Sequence, residues 1–231
     1  PFLAARNGKG GNNNEVDADQ FELAACWRGN WGAFHADARI SAAEIDFAGV
    51  RHLTGTVDGD TIAKTATGDW NGQLYSASAG ASYELALGRL ILRPTVGLDY
   101  YKLSEDGFTE TGGGEAVDLI VDSRESDELA ATGTLVAGLG WGGATADSSW
   151  FRVELEGGRR EILAGELGAT TARFANGEAF TLAAEERTSG WVGKLRAVGG
   201  TSGFKLGGEF NAEEQQGHTS LAFRVSLNSS F

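Results

Sequence analysis

Apolar residues recur at every second position in a series of short runs along this chain. That spacing puts them on one side of an extended strand and leaves polar residues on the other. The last run is the cleanest. Leu221, Phe223, Val225, Leu227 and the final Phe231 share one side, interrupted only by Ser229, while Ser220, Ala222, Arg224, Ser226, Asn228 and Ser230 share the other. In the run before it, Phe204, Leu206, Gly208 and Phe210 oppose Lys205, Gly207, Glu209 and Asn211. Trp191, Gly193, Leu195 and Ala197 oppose Lys194 and Arg196, although Val192 and Val198 blur that case, and Phe151, Val153 and Leu155 oppose Arg152, Glu154 and Glu156.

Upstream, Leu129, Ala131, Gly133, Leu135, Ala137, Leu139 and Trp141 share a side. So do Leu90, Leu92, Pro94, Val96, Leu98 and Tyr100, opposed by Arg93, Thr95 and Asp99. Tyr75, Ala77, Ala79, Ala81, Tyr83 and Leu85 make another run, preceded by Phe34, Ala36, Ala38 and Ile40 and by Phe21, Leu23, Ala25 and Trp27. The pattern predicts nine strands, with residues 1–20 as a loop or linker and residues 21–231 as one barrel domain.

With 35 glycines, 2 prolines, and β-branched and aromatic residues gathered between Gly, Asn, Asp and Ser, the chain reads as all-β. No stretch approaches the roughly 18 consecutive apolar residues of a membrane-spanning helix. Averaged hydropathy does not exclude a membrane barrel, because outward and inward residues alternate along each strand and cancel. A formal charge of -13 opposes nucleic-acid binding, which needs clustered Lys and Arg. The single Cys26 leaves no internal disulfide, and no Cys or His cluster has zinc-ligand spacing, so no metal or other cofactor is expected.

Expected connections alternate in length. Short ones fall near Gly29-Asn30 and at residues 86–89, 142–148 and 200–203; long ones cross residues 47–69, 104–118 and 161–178, with residues 213–217 a short exception. Outer-membrane barrels have short periplasmic turns and longer extracellular loops, which puts Phe231 at the periplasmic end. Trp27, Tyr83, Trp141, Trp150, Phe204 and Phe231 are then expected at the periplasmic rim, and Trp70, Tyr100, Tyr101, Trp191 and Phe210 at the outer rim, where amphipathic rings favour the headgroup interface. The fold class expected is an antiparallel transmembrane β-barrel of the bacterial outer membrane. A soluble barrel or sandwich also alternates, but encloses its oily side.

The segment Leu92-Arg93-Pro94-Thr95-Val96-Gly97-Leu98-Asp99-Tyr100-Tyr101, followed by Glu105-Asp106-Gly107-Phe108-Thr109-Glu110 and three glycines at residues 112–114, resembles the autotransporter translocator family at its strand-loop-strand core. The likeness continues through residues 119–140, residues 151–160 with Arg159-Arg160, and a last strand ending on phenylalanine. It implies a type V secretion barrel of about twelve strands, of which the pieces here match roughly the last nine. The absence of methionine and an opening Pro1-Phe2-Leu3 that fits no secretory signal lead to the expectation of an excised piece, with the first strands, a lumen helix and a secreted passenger upstream. Nine strands are also an odd number, where bacterial single-chain barrels use even ones, and an open edge exposes backbone groups that lipid cannot satisfy, so the piece alone is not expected to form a working pore.

Arg93, Asp99, Arg152, Glu154, Glu156, Lys194, Arg196, Lys205, Glu209 and Arg224 are expected to line the lumen, since Arg or Lys on the lipid side costs roughly 2–4 kcal/mol at midplane. Phe231, Leu227, Val225, Phe223 and Leu221 resemble the C-terminal signal read by the barrel-assembly machinery, which fits docking by β-augmentation. Other partners expected are outer-membrane lipid, lipopolysaccharide and the chain's own upstream passenger, around a monomeric barrel. Glu154 and Glu156 share a side and in principle offer an acid-base pair, but a ladder of lumen charges is the simpler reading. His35, His52 and His218 lie on separate segments with no Gly-x-Ser-x-Gly elbow, so no catalytic set is expected. The glycines at 112–114 lack a Walker lysine and read as a flexible outer loop, and Asn228-Ser229-Ser230 is a chance sequon. Passenger export or anchoring is the leading expectation, a passive pore or structural anchor the alternative, and an outer-membrane enzyme drawing on His52 or Ser104 a third.

Overall fold

The structure is a computed structural model that describes residues 8–9, 14–57, 60–142, 149–184, 188–215 and 218–229. Its strands are β1 (Gly8–Lys9), β2 (Glu15–Trp31), β3 (Phe34–Val57), β4 (Asp60–Tyr83), β5 (Leu85–Leu87), β6 (Leu90–Glu105), β7 (Phe108–Thr109) and β8 (Leu119–Val121). They continue with β9 (Arg124–Gly142), β10 (Trp150–Ala164), β11 (Thr170–Phe174), β12 (Phe180–Leu182), β13 (Gly190–Gly200), β14 (Phe204–Gln215) and β15 (His218–Ser229). Eleven strands build one antiparallel sheet in the order β1-β2-β3-β4-β6-β9-β10-β13-β14-β15, with β5 beside β6. Its nine long strands are the nine alternating runs, and each has at least 11 residues, enough to cross a bilayer, which takes about 9–11.

The register aligns the oily sides of neighbouring strands. One row runs Leu85, Leu92, Ala137, Leu155, Leu195, Phe210, Phe223 across seven strands, each residue the direct cross-strand partner of the next. This side has no cover: Leu23 is 74% exposed and Phe223 72%. Among the described residues the buried apolar set is only Ala43, Ile45, Ala66, Ala130, Val136 and Ala172. A soluble sandwich would enclose such a surface; an uninterrupted oily face of this size needs an apolar solvent.

The opposite side is concave. Arg93 on β6 reaches Glu154 on β10 across the intervening β9, and Arg152 on β10 reaches Glu84 beyond β6. Side chains separated by one or more whole strands converge in this way only where the sheet curls towards them, and the sheet forms a curled half-barrel.

Several local expectations change. The first turn lies at Gly32-Ala33, after Trp31, rather than at Gly29-Asn30; Gly32 takes a φ of 61°. Gly29 is needed for a different reason, because the Trp31 ring lies where a Cβ on residue 29 would sit. Residues 47–69, expected as a loop, instead continue the ladder, so that β3 and β4 are each 24 residues long. Thr54, Thr56, Val57, Thr61, Ile62 and Thr65 favour extended backbone, and no oily side is required of a strand once it leaves the membrane. The long connections 104–118 and 161–178 contribute to a second, four-stranded sheet ordered β12-β11-β8-β7. Trp70 and Tyr101, expected at the outer rim, and Trp150, expected at the periplasmic rim, fall by register on the concave side. Trp70 stacks between Phe47 and Phe108, at centroid distances of 5.1 and 4.4 Å.

Leu135 occupies the middle of the oily side of β9 and is 53% exposed. Leu135→Arg is expected to lower stability in lipid vesicles by about 2–4 kcal/mol, read from denaturant midpoints by tryptophan fluorescence. An equal loss from Thr132→Arg, on the concave side of the same strand, would overturn the assignment of faces.

Candidate functional site

Alternation along β6, β10, β13, β14 and β15, combined with their register, carries Arg93, Asp99, Arg152, Glu154, Glu156, Lys194, Arg196, Lys205, Glu209 and Arg224 to the concave side. They form two groups. The tighter one centres on Glu154, whose side chain is 6% exposed. Arg152 Nη2 lies 2.5 Å from Glu154 Oε1, Arg93 Nη2 3.2 Å from Oε2, and Arg196 Nη1 3.9 Å from Oε2. Glu84 completes the group, accepting from Arg152 at 2.9 Å and Arg93 at 3.2 Å. The crossing passes over glycine on β9: a Cβ at Gly138 would stand 3.1 Å from Glu154 Cγ.

The second group is looser. Glu156 accepts a hydrogen bond from Thr134 Oγ1 at 2.7 Å and stands 3.6 Å from Lys194 Nζ. Glu209 accepts from Asn211 Nδ2 at 3.1 Å and is the cross-strand partner of both Arg196 and Arg224. A cavity of about 320 Å³ opens here between Asp99, Thr134, Glu156, Arg160, Lys194 and Asn211. Lys205 and Arg224 are exposed on the same side towards β15. Glu154 and Glu156 each face cations or donors of their own.

Sequence reasoning missed a third set, at the end of the sheet opposite the tight turns. Arg51 Nε donates to Glu110 Oε1 at 3.0 Å, its Nη2 pairs with Glu110 Oε2 and also donates to Val117 O at 2.7 Å, and Glu110 Oε2 accepts from Leu119 N at 2.9 Å. The hydrogen bond to Glu110 raises the Arg51 pKa above its ordinary value. Arg124 grips Glu105 with two bonds, of 2.6 and 2.9 Å, and reaches Thr170 at 2.9 Å. Arg160 pairs with Glu128, which is 1% exposed. Arg51, Glu105 and Glu110 fall in stretches expected as loops, where no periodicity distinguishes them. The loop at residues 112–114, expected to be flexible, is held by Asp118, which accepts from Gly113 N at 2.8 Å and Gly114 N at 3.0 Å.

The histidines stay apart. His35 Nδ1 is 2.7 Å from Asn30 Oδ1 and His52 Nδ1 is 2.9 Å from Thr65 Oγ1, while Ser104 Oγ donates to Glu125 at 3.4 Å; the side chain of His218 lies outside the described residues. On β15, Leu221, Phe223, Val225 and Leu227 are all exposed on the oily side, and Phe231 lies outside the described residues.

An oily outer belt backed by a charged concave wall is the geometry of a membrane barrel with a wet interior. A family model described as the autotransporter beta-domain matches residues 4–211. The chain belongs to the autotransporter β-domain family. No curated protein compared with it matches. Autotransporter β-domains are outer-membrane translocator barrels and not enzyme domains. The three charge groups of this autotransporter β-domain stand on the concave side of its sheet.

Two outcomes follow from the geometry. Glu154→Gln leaves three arginines without their shared anion and is expected to cost about 2 kcal/mol, allowing for partial solvation of the guanidinium groups. Glu22→Gln, which breaks the exposed pair with Arg39, is expected to cost at most about 1 kcal/mol; equal denaturant midpoints for the two variants would refute the hub role of Glu154. At the other end, Arg51→Ala is expected to speed backbone hydrogen exchange across residues 108–121 while leaving β9 and β10 protected. Unchanged exchange there would show that the loop is held without Arg51.

Proposed function

We propose that this β-domain supports export or surface anchoring of a polypeptide segment N-terminal to it, with the loop end outside the cell and the end of β15 on the periplasmic side. The observation that carries the reading is the mixed-charge concave wall. Six cations and four anions among Arg93, Asp99, Arg152, Glu154, Glu156, Lys194, Arg196, Lys205, Glu209 and Arg224 line the lumen and keep it hydrated. Because most of these charges already have partners in the wall, an unfolded chain passing by meets few uncompensated ones and does not stick. The wall works as a wet, non-adhesive surface.

Assembly of the barrel uses its last strand. Leu221, Phe223, Val225, Leu227 and Phe231 form the signal for the barrel-assembly machinery, with backbone pairing at the edge of β15 giving affinity and alternate side chains giving specificity. Outer-membrane lipid and lipopolysaccharide solvate the oily belt, and the barrel acts as a monomer.

Fractionation of the full-length protein with surface proteolysis tests the export reading. An extraction-resistant barrel with upstream chain outside the cell is the expected result; a barrel with nothing exposed would favour a passive pore. Deleting Phe231 from the full-length protein is expected to lower outer-membrane insertion, read as loss of the heat-modifiable folded band, and unchanged insertion would sink the assembly-signal role.

A further inference from the structure

Arg159 breaks the oily side of β10. Alternation along the strand puts Phe151, Val153, Leu155 and Gly157 on that side, and Arg159 comes next after them. From Phe151 to Arg159 the strand climbs about 26 Å at about 3.3 Å per residue, which is about 20 Å of height at a tilt of roughly 40°. The apolar belt of an outer-membrane barrel is about 25 Å tall. Arg159 therefore stands at the upper margin of the belt, towards the loop end, and faces out of the barrel.

Its guanidinium is held in place there. Arg159 is the cross-strand partner of Trp191 on β13, and its Cζ lies 5.3 Å from the centre of the Trp191 ring. Nε donates to Glu161, two residues further along the same side. Ser189, whose Oγ accepts from Ile162 N at 3.1 Å, stands beside Glu161. Among the described residues neither Nη group of Arg159 has an acceptor. Trp191 is exposed and Arg159 about half-exposed, so the remaining donors are open to the headgroup layer. A guanidinium fixed in this way presents a planar fork that matches the oxygens of a phosphate.

Beneath this pair the wall is bare. Gly157 and Gly193 are direct partners one row below Arg159 and Trp191, and Gly133 is the partner of Arg159 on β9. A Cβ at Gly133 or Gly157 would meet no atom within 4 Å, and one at Gly193 only two backbone oxygens at 3.9 Å. Leu135 bounds the space on β9, and Leu155 and Leu195 bound it from the periplasmic side. Across β9, β10 and β13 this makes a trough about 10 Å wide, at about 4.8 Å between strands. Glycine within a strand gives up packing and often marks a place where a ligand approaches the backbone.

We propose that this trough binds lipopolysaccharide, with a lipid phosphate on the Arg159 Nη groups and acyl chains lying over Gly133, Gly157 and Gly193. The inference rests on the orientation proposed above, which puts Arg159 in the outer leaflet, and it turns a lipid that surrounds the belt into one held at a named place. What stands beside Arg159 favours a phosphorylated glycolipid over a phospholipid. Glu161 and Ser189 supply acceptors for sugar hydroxyls, and the trough extends over two strand spacings.

Full-length protein purified from the outer membrane and returned to phosphatidylcholine vesicles tests the site, with purified lipid A as the probe and phosphatidylglycerol as the comparison anion. Wild type is expected to retain lipid A through detergent extraction, counted per barrel by native mass spectrometry, several-fold better than phosphatidylglycerol. Arg159→Gln removes the charge, and Gly157→Leu fills the trough without altering Arg159. Each is expected to lower lipid A retention several-fold in a barrel that still folds, read from its heat-modifiable band. Lys102→Gln alters an outward cation paired with Glu125 nearer the loops and is expected to bind as wild type does. Wild-type retention in either Arg159→Gln or Gly157→Leu would overturn the site, as would equal retention of phosphatidylglycerol. A loop end reached by protease only from the periplasm would instead refute the orientation on which it rests.

Discussion

A backbone amide in hydrocarbon must find its partner within the protein, because lipid offers none. Everything in the main sheet follows from that requirement. Nine long antiparallel strands, each hydrogen-bonded to its neighbours in chain order, satisfy one another's backbone with local connections, and the period of two then sorts every side chain to lipid or to the inner wall. A slip of one residue in any ladder would turn a row such as Leu155, Leu195, Phe210 and Phe223 inward and push Glu154, Arg196, Glu209 and Arg224 into the bilayer. The two sides thus hold the register jointly.

The concave wall meets a second demand. A buried charge must have a partner. Glu154 meets that demand by collecting Arg93, Arg152 and Arg196 from three strands, and residue 138 of the intervening β9 is glycine, where a Cβ would stand 3.1 Å from Glu154 Cγ. Nearer the loop end the same logic is applied to isolated pairs: Arg124 with Glu105, Arg160 with Glu128, and Arg51 with Glu110. Arg51, through Glu110 and Val117, and Arg124, through Thr170, join the small sheet and its loops to the rim, while Arg160 with Glu128 ties β10 to β9.

Legibility in the sequence followed how local each feature is. The strands were readable because alternation is a property of consecutive residues, and their facing was readable because all nine runs had to share one lipid. The continuation of β3 and β4 through residues 47–69 was not, since in water a strand has no need of an oily side and Thr-rich sequence looks like loop. Trp70 turns inward between Phe47, its cross-strand partner, and Phe108, which arrives from a loop distant in sequence. Gly29 reads as a turn signal until the neighbouring Trp31 is seen lying over it.

By itself the sequence determined an antiparallel, membrane-facing β-fold, the content of each strand, and which charges oppose the oily side, because these depend on a spacing of two residues and on the solvent that spacing implies. Tertiary structure alone decided which charges meet. Arg93 and Glu154 are 61 residues apart and Arg51 and Glu110 are 59 apart, and their contacts arise from the curl of the sheet and the folding of loops over its end.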